Sequence, residues 1–331
     1  MKKISIIIPT YKTWRWTAIC IHAFKTYGIP VESEIILVDN APDSPMIKSI
    51  TETELGEGVK VLQGERDFYS HGRGYDLAFE ESTGDWIFCA ETDSFPTRHG
   101  WFDDFVKKSA DYDLIGPEVP QSSGKYIHPA GAAYRRVLVE SAIGWQRNHR
   151  NWVFCPGAAV ELGTSDKGYH VIANKNWLSH QSPSEALVEQ IALWKRAGPF
   201  QEMRSFDEDT WDSYPHRTGI VNWEPNPDIP AYNKIGYESG QWLSYYAQSH
   251  DFRVFKAPTE IHWMPGHEGG QAAFSTVFGG FTHVWCGTVS NLPNDIANDV
   301  RAFKLAKMNQ LFEALPEHIR TKIEELEKQY P

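Results

Sequence analysis

Long apolar runs are missing from this chain. No stretch of about 18 apolar residues occurs, so the sequence offers no transmembrane helix. The apolar run Ile4-Ser5-Ile6-Ile7-Ile8 behind Lys2-Lys3 is too short for a signal-peptide core and runs into Pro9. Cysteine is scarce: Cys20, Cys89, Cys155 and Cys286 are scattered, with no C-x-x-C and no zinc spacing, which excludes a disulfide scaffold and a zinc ribbon. Reduced, buried thiols in a cytoplasmic protein are the expectation. Glycine is absent from Pro9-Thr10-Tyr11-Lys12-Thr13-Trp14, where a nucleotidyltransferase or a dinucleotide dehydrogenase would carry its phosphate loop; Gly72-Arg73-Gly74 matches only in part and in the wrong place. Basic residues are outnumbered, 32 Lys and Arg against 43 Asp and Glu, for a net charge of −11. That balance counts against a general nucleic-acid or anionic-membrane surface, while leaving room for a local basic groove.

What is present suits a folded domain. The 331 residues are 41% hydrophobic and 23% charged, enough for one large or two fused cores. Thirteen Trp, 14 Tyr and 17 Phe suit either a large aromatic core or a site where sugars or bases stack. Residues 4–8, 34–38, 59–62 and 85–90 read as strands, the first two without alternation, as in a sheet buried on both faces. Helices are expected over 14–27, 46–54 and 74–82. Alternation of strand and helix predicts an α/β layer over residues 1–115. The middle lacks a clean period, apart from a helix over 187–196 and Pro225, Pro227 and Pro230 in an extended loop. A helix over 240–249 and a strand over 252–255 follow. Residues 266–294, rich in glycine and aromatics, read as a lid or loop, and 296–313 and 316–329 as amphipathic helices.

The chemistry gathers at strand ends. In Trp86-Ile87-Phe88-Cys89-Ala90-Glu91-Thr92-Asp93 an apolar strand ends in two acids spaced i, i+2, which alternation would put on one side. Paired carboxylates there suit a hard divalent cation, and through it a diphosphate; the alternative is a solvated turn. Thr10-Tyr11 and Asp39-Asn40 end two other strands, and ligands of open α/β sheets bind beyond such carboxyl ends.

Strand-Pro9-Thr10-Tyr11, Val38-Asp39-Asn40, His71-Gly72-Arg73-Gly74-Tyr75-Asp76 and Glu91-Thr92-Asp93, in that order and at these spacings, resemble family 2 glycosyltransferases of the GT-A fold. The resemblance covers residues 3–140 and resumes at 237–262. It implies a nucleotide-sugar-binding α/β half over 1–115 with a mixed central sheet, an acceptor-binding and catalytic half over 116–265, and a Gly/aromatic-rich lid or loop region with C-terminal helices over 266–331. It implies that Pro9, Thr10, Tyr11, Asp39, Asn40, His71, Gly72, Arg73, Asp76 and Thr92 bind the donor, with Asp39 accepting from the base, typically uracil; a carboxylate suits an imide N–H. Glu91 and Asp93 would hold Mn²⁺ or Mg²⁺. Two departures stand out: Glu91 replaces the usual Asp, making Asp93 the principal ligand, and Tyr75-Asp76 replaces a frequent Arg-Asn pair.

The late segment from Tyr237-Glu238 to Ile261-His262 also resembles the family. By that register Glu238 is the catalytic base and His262 the third metal ligand, with His267 and His283 as rivals. Asp209, in Phe206-Asp207-Glu208-Asp209-Thr210-Trp211, is the second candidate base; that acidic cluster equally reads as a solvated loop. His128, Gly131 and Trp242 fall on the acceptor side, and Gly266, Gly269, Gly270, Gly279 and Gly280 would serve a lid. The implied activity is metal-dependent inverting transfer from a nucleotide-sugar, UDP-linked, to a hydroxyl acceptor, a glycan by default. The alternatives are a non-catalytic nucleotide-sugar or carbohydrate binder on the same scaffold, and a modified nucleic-acid base as acceptor.

Overall fold

The computed structural model describes residues 3–30, 32–41, 45–64, 71–118, 126–146, 153–154, 160–165, 168–173, 240–264, 273–284 and 298–329. Their order is β1 (Ile4–Thr10), α1 (Trp14–Tyr27), β2 (Ser33–Asp39), α2 (Met46–Thr51), a short 3-10 turn (Glu54–Gly56), β3 (Val59–Gln63), α3 (His71–Glu80), β4 (Trp86–Cys89), β5 (Ser94–Pro96), α4 (Asp103–Lys108), β6 (Leu114–Gly116), β7 (Ala132–Arg135) and α5 (Arg136–Gln146). Then come β8 (Val160–Ser165), β9 (Gly168–Ala173), α6 (Gln241–Ser249), β10 (Val254–Lys256), β11 (Thr259–Trp263), β12 (Ala273–Val277), β13 (Phe281–His283), α7 (Asn298–Glu313) and α8 (Glu317–Gln329).

Seven strands form the central sheet in the order β10-β6-β7-β4-β1-β2-β3, and only β7 runs against the others. The non-alternating strands have the cause expected of them. Ile6, Ile8, Ile35, Leu37 and Phe88 bury one face of the sheet, and Ile7, Ile36, Val38 and Ile87 bury the other. The first face packs α1, α4 and the C-terminal helices. Arg15 on α1 forks onto Glu327 on α8 at 2.8 Å and lies 4.5 Å above the Phe312 ring. The second face packs α3, α5 and α6, through Tyr75, Phe79, Leu138 and Leu243.

Many of the aromatics belong to the core. Phe88 has Trp101, Phe102, Phe105 and Phe281 around it at centroid distances of 5.1–5.4 Å, mostly edge to face.

Two expectations differ from the structure. Residues 273–283, read within a lid or loop, are a β-hairpin. With β11 and β5 it forms a second sheet, ordered β11-β12-β13-β5. The hairpin turns at Phe278 and Gly279, both with left-handed φ (49° and 63°). Ala273–Val277 buries every second residue, the period of a half-buried strand. The helix expected over 46–54 stops at Thr51, where the Thr53 hydroxyl accepts from Leu55 N–H and starts the 3-10 turn. The helix expected over 187–196 lies outside the described residues.

Candidate functional site: a Glu-Asp-His group at the rim of the sheet

β1, β2 and β4 run parallel, so their carboxyl ends share one rim. Thr10 pairs with Asp39, and Asn40 N–H closes the step by donating to the Thr10 carbonyl at 2.9 Å. A run of hydroxyls crosses the rim: Thr17 to Thr10 at 2.9 Å, Thr10 to Thr13 at 3.1 Å, and Thr13 to Thr92 at 3.1 Å. The ends of β1 and β4 are tied in this way by side chains, and Asp39 stands on the strand beside Thr10.

Glu91 and Asp93 come together through a turn rather than by strand alternation. β4 ends at Cys89; Ser94 N–H donates to the Glu91 carbonyl at 2.9 Å and the Ser94 hydroxyl accepts from Glu91 N–H at 2.7 Å. Cys20 on α1 supports the turn from behind, its thiol 3.3 Å from the Ser94 carbonyl. Burial, and then the Asp93 charge, push that thiol's pKa well up, so it stays a donor. Tyr75, standing where the family's pair is absent, is fully buried, and its hydroxyl donates to the Ala90 carbonyl at 3.1 Å.

The third member of the group is His283. β13 runs antiparallel beside β5 and sets His283 opposite Ser94, and Val284 N–H donates to the Asp93 carbonyl at 2.9 Å. His283 Nε2 lies 3.3 Å from Glu91 Oε2 and 3.7 Å from Asp93 Oδ1. Ligand atoms of Glu91, Asp93 and His283 all fall within 4.8 Å of one another. Two ligands each about 2.1 Å from one ion can stand up to about 4.2 Å apart, so the closest pairs fit a shared cation. Two carboxylate oxygens and an imidazole together make a donor set that could hold a divalent cation. Burial alone would lower the pKa of His283, but the hydrogen bond and charge of Glu91, with Asp93, outweigh it and raise the value.

His262 does not join this group. Register decides it: Ser94, His283 and Ser275 are cross-strand partners and share one face, with Ile261 beside Ser275. His262 pairs with Phe274 and therefore points to the other face, two strands from β13, or about 10 Å. There its ring stacks on Phe274 at 4.7 Å and its Nε2 lies 3.7 Å from Glu260. A hairpin reading of 273–283, with its period-2 burial and its Phe278-Gly279-Gly280 turn, is the signal that would have singled out His283.

The other expected residues fall as follows. Asp39 is buried, accepts from Ala41 N–H at 2.9 Å, and has its pKa pushed up to about 6 by burial, despite that hydrogen bond. Tyr11 is half-buried beside Lys12, whose Nζ lies 5.5 Å from the ring centroid. Pro9 and Asn40 pack against α3, where a Cβ on Gly74 would meet Pro9 Cβ at 2.8 Å and Asn40 Nδ2 at 3.2 Å. Gly72 is buried in the same helix. Arg73 is buried and reaches Glu80 at 3.6 Å. Asp76 faces inward: its Oδ1 accepts from Val153 and Phe154 N–H at 2.8 and 2.9 Å, which ties a distant segment to α3.

His128 and Gly131 belong to the turn before β7. Because β7 is antiparallel, that turn lies at the carboxyl end of β4, and Gly131 N–H donates to the Cys89 carbonyl at 2.9 Å. Gly131 has φ +90°, and a Cβ there would meet the Phe281 ring at 3.0 Å. His128 stacks on His283 with ring centroids 5.2 Å apart. The side chains of His71 and Trp242 are not among the described parts of α3 and α6, and Glu238, Asp209, His267, Gly266, Gly269 and Gly270 lie outside the described residues. Cys20 and Cys89 are free and buried. Among the described residues, no helix is long and apolar enough to cross a membrane.

Residues 5–152, just under half the chain, match the family described as glycosyl transferase family 2. A search of curated proteins gave no match. Among solved structures the chain resembles S. aureus TarS 1–349 in complex with UDP-GlcNAc, at 18% identity and TM-score 0.36, over 42% of this chain and 47% of that one. It also resembles glucosyl-3-phosphoglycerate synthase from Mycobacterium tuberculosis in complex with Mn²⁺, UDP and glucosyl-3-phosphoglycerate, at 12% identity and TM-score 0.34, over 42% of this chain and 59% of that one. The chain thus spans about half the length of the solved structures it matches. The mixed seven-stranded sheet, the family segment across it and the C-terminal helices make up the GT-A arrangement that the resemblance implied.

Proposed function

We propose that this chain, with its family 2 glycosyl transferase segment, is a metal-dependent inverting glycosyltransferase. It moves a hexosyl or pentosyl group from a nucleotide-sugar, UDP-linked, to a hydroxyl of a glycan. The observation that carries this reading is the grouping of Glu91, Asp93 and His283 at the rim that also holds Thr10 and Asp39.

In this reading Asp39 accepts the imide N–H of the base as a carboxylate, and the half-buried Tyr11 ring covers the base. Glu91, Asp93 and His283 hold a divalent cation, which when bound supplies charge neutralisation for the leaving diphosphate. Asp93, the more buried acid, is the principal ligand. The acceptor enters past the 128–131 turn and α6. Its proton goes to a carboxylate, Glu238 or Asp209, as the hydroxyl oxygen forms a bond to the anomeric carbon and the bond to the diphosphate breaks on the opposite face. One displacement inverts that carbon.

The test is a product assay across a panel of nucleotide-sugars with and without chelator, beside calorimetry of the same donors. Turnover that needs added Mn²⁺ or Mg²⁺ and disappears in Asp93→Ala supports the reading. Full turnover after metal removal sinks the metal role, and donor binding without any product makes the protein a binder on this scaffold. Loss of rate in Glu238→Gln but not Asp209→Asn assigns the base to Glu238, and the reverse result to Asp209.

A further inference from the structure

His128 does something the acceptor reading does not require: it faces Glu91. The two oxygens of Glu91 meet different imidazoles, Oε2 lying 3.3 Å from His283 Nε2 and Oε1 lying 4.0 Å from His128 Nε2. The rings are near parallel, at 26° and 5.2 Å, so each limits the other's rotation. The other nitrogen of His128 is engaged as well. Nδ1 accepts from Ala130 N–H at 3.1 Å, within the turn that leads into β7.

That backbone bond fixes the tautomer. An Nδ1 that accepts carries no proton, so the neutral ring has its proton on Nε2. A metal-ligating Nε2 would instead offer a lone pair, with the proton on Nδ1. His128 therefore presents an N–H to Glu91 and is a partner of the carboxylate, not a fourth ligand. At 4.0 Å the contact is longer than a hydrogen bond, so it acts as an N–H dipole on a charge, in a partly buried site where such terms gain strength.

Resting on the metal site of the functional reading, we propose that His128 is a positioning residue for Glu91: its Nε2–H dipole orients the carboxylate through Oε1 and leaves Oε2 to act beside His283 and Asp93.

The experiment exploits the two amide near-isosteres of histidine. Asn at 128 keeps an acceptor for Ala130 N–H and loses the donor toward Glu91; Gln offers an N–H near the Nε2 position and loses the turn acceptor. Mn²⁺ binding to the full chain is measured by electron paramagnetic resonance or calorimetry, with no substrate. The proposal expects His128→Gln to bind close to wild type and His128→Asn to bind about ten-fold more weakly, the lower end for outer partners of metal ligands. The reverse order assigns His128 to the turn alone and overturns the proposal, as do two variants that bind like wild type. Equal, large losses that are deeper for Co²⁺ than for Mn²⁺ make His128 a ligand and also overturn it. If either variant does not fold, imidazole nitrogen NMR shifts of the wild type with Mg²⁺ decide: a proton kept on Nε2 supports the proposal, and one on Nδ1 overturns it. A wild type that binds no cation sinks the functional reading itself; a wild type that binds Mn²⁺ without the Gln–Asn difference sinks only this proposal.

Discussion

His283 Nε2 and Glu91 Oε2 lie 3.3 Å apart although 192 positions of chain separate them, because β13 pairs with β5 directly after the acidic turn. His262, 21 positions earlier in the chain, faces the opposite side of its sheet. Replacing His283 with Ala should abolish Mn²⁺ binding or weaken it by about a hundred-fold or more, as befits a direct ligand. His262→Ala should leave it within about two-fold. Calorimetric titration of both variants checks this, and equal losses would place His262 in the site after all.

Asp39 gives a pH signature. Its carboxyl is raised from 3.8 to about 6 by burial. Between about pH 4 and pH 6 the folded chain keeps a proton that the unfolded chain has released, so this residue lowers stability as pH rises through that window. Asp39→Asn should remove that slope in urea unfolding series run at pH 4.5, 5.5 and 6.5. Ligand binding should run the other way. Uridine affinity should rise as pH passes about 6, where Asp39 becomes the carboxylate acceptor, and should be flat in the Asn variant.

Asp76 should matter mostly to folding. Asp76→Ala strands Val153 and Phe154 N–H, both held at 2.8–2.9 Å by one oxygen. A loss of about 2–6 kcal/mol is expected from urea unfolding, since each of the two orphaned buried donors costs about 1–3 kcal/mol. Asp76→Asn keeps an accepting oxygen and should recover most of it. A stable Ala variant with weak UDP binding would return Asp76 to the donor site.

Gly74→Ala should disturb the rim. The new Cβ would stand 2.8 Å from Pro9 Cβ and 3.2 Å from Asn40 Nδ2, so α3 must move from the ends of β1 and β2. Overpacking of this kind costs about 1–3 kcal/mol. Uridine affinity should fall with it, because Asn40 and Pro9 border Asp39. Unchanged stability and uridine binding would mean that the helix shifts without touching the rim.

Much of the first half was legible because its signals are local. Ile4–Thr10 and Ser33–Asp39 are apolar on both faces, and helix Trp14–Tyr27 ends at Gly28 with φ +80°. Those features need no knowledge of distant partners. Beyond Asp113 the same logic weakened. Strands of three to five residues, such as Leu114–Gly116, Val254–Lys256 and Phe281–His283, carry too few positions for a period to show. The aromatics were ambiguous for a related reason: Phe88 and Trp101 have the composition of a stacking site and the neighbours of a core.

The amino-acid sequence by itself determined the α/β layer, the polar strand ends at Thr10, Asp39 and Glu91, and the acidic pair, because propensity and burial pattern act over a few residues. Only the tertiary structure decided which histidine meets those acids and what His128 faces. Both depend on strand direction and register, the antiparallel course of β7 and β13, and a one-residue change of register reverses the face a side chain points to.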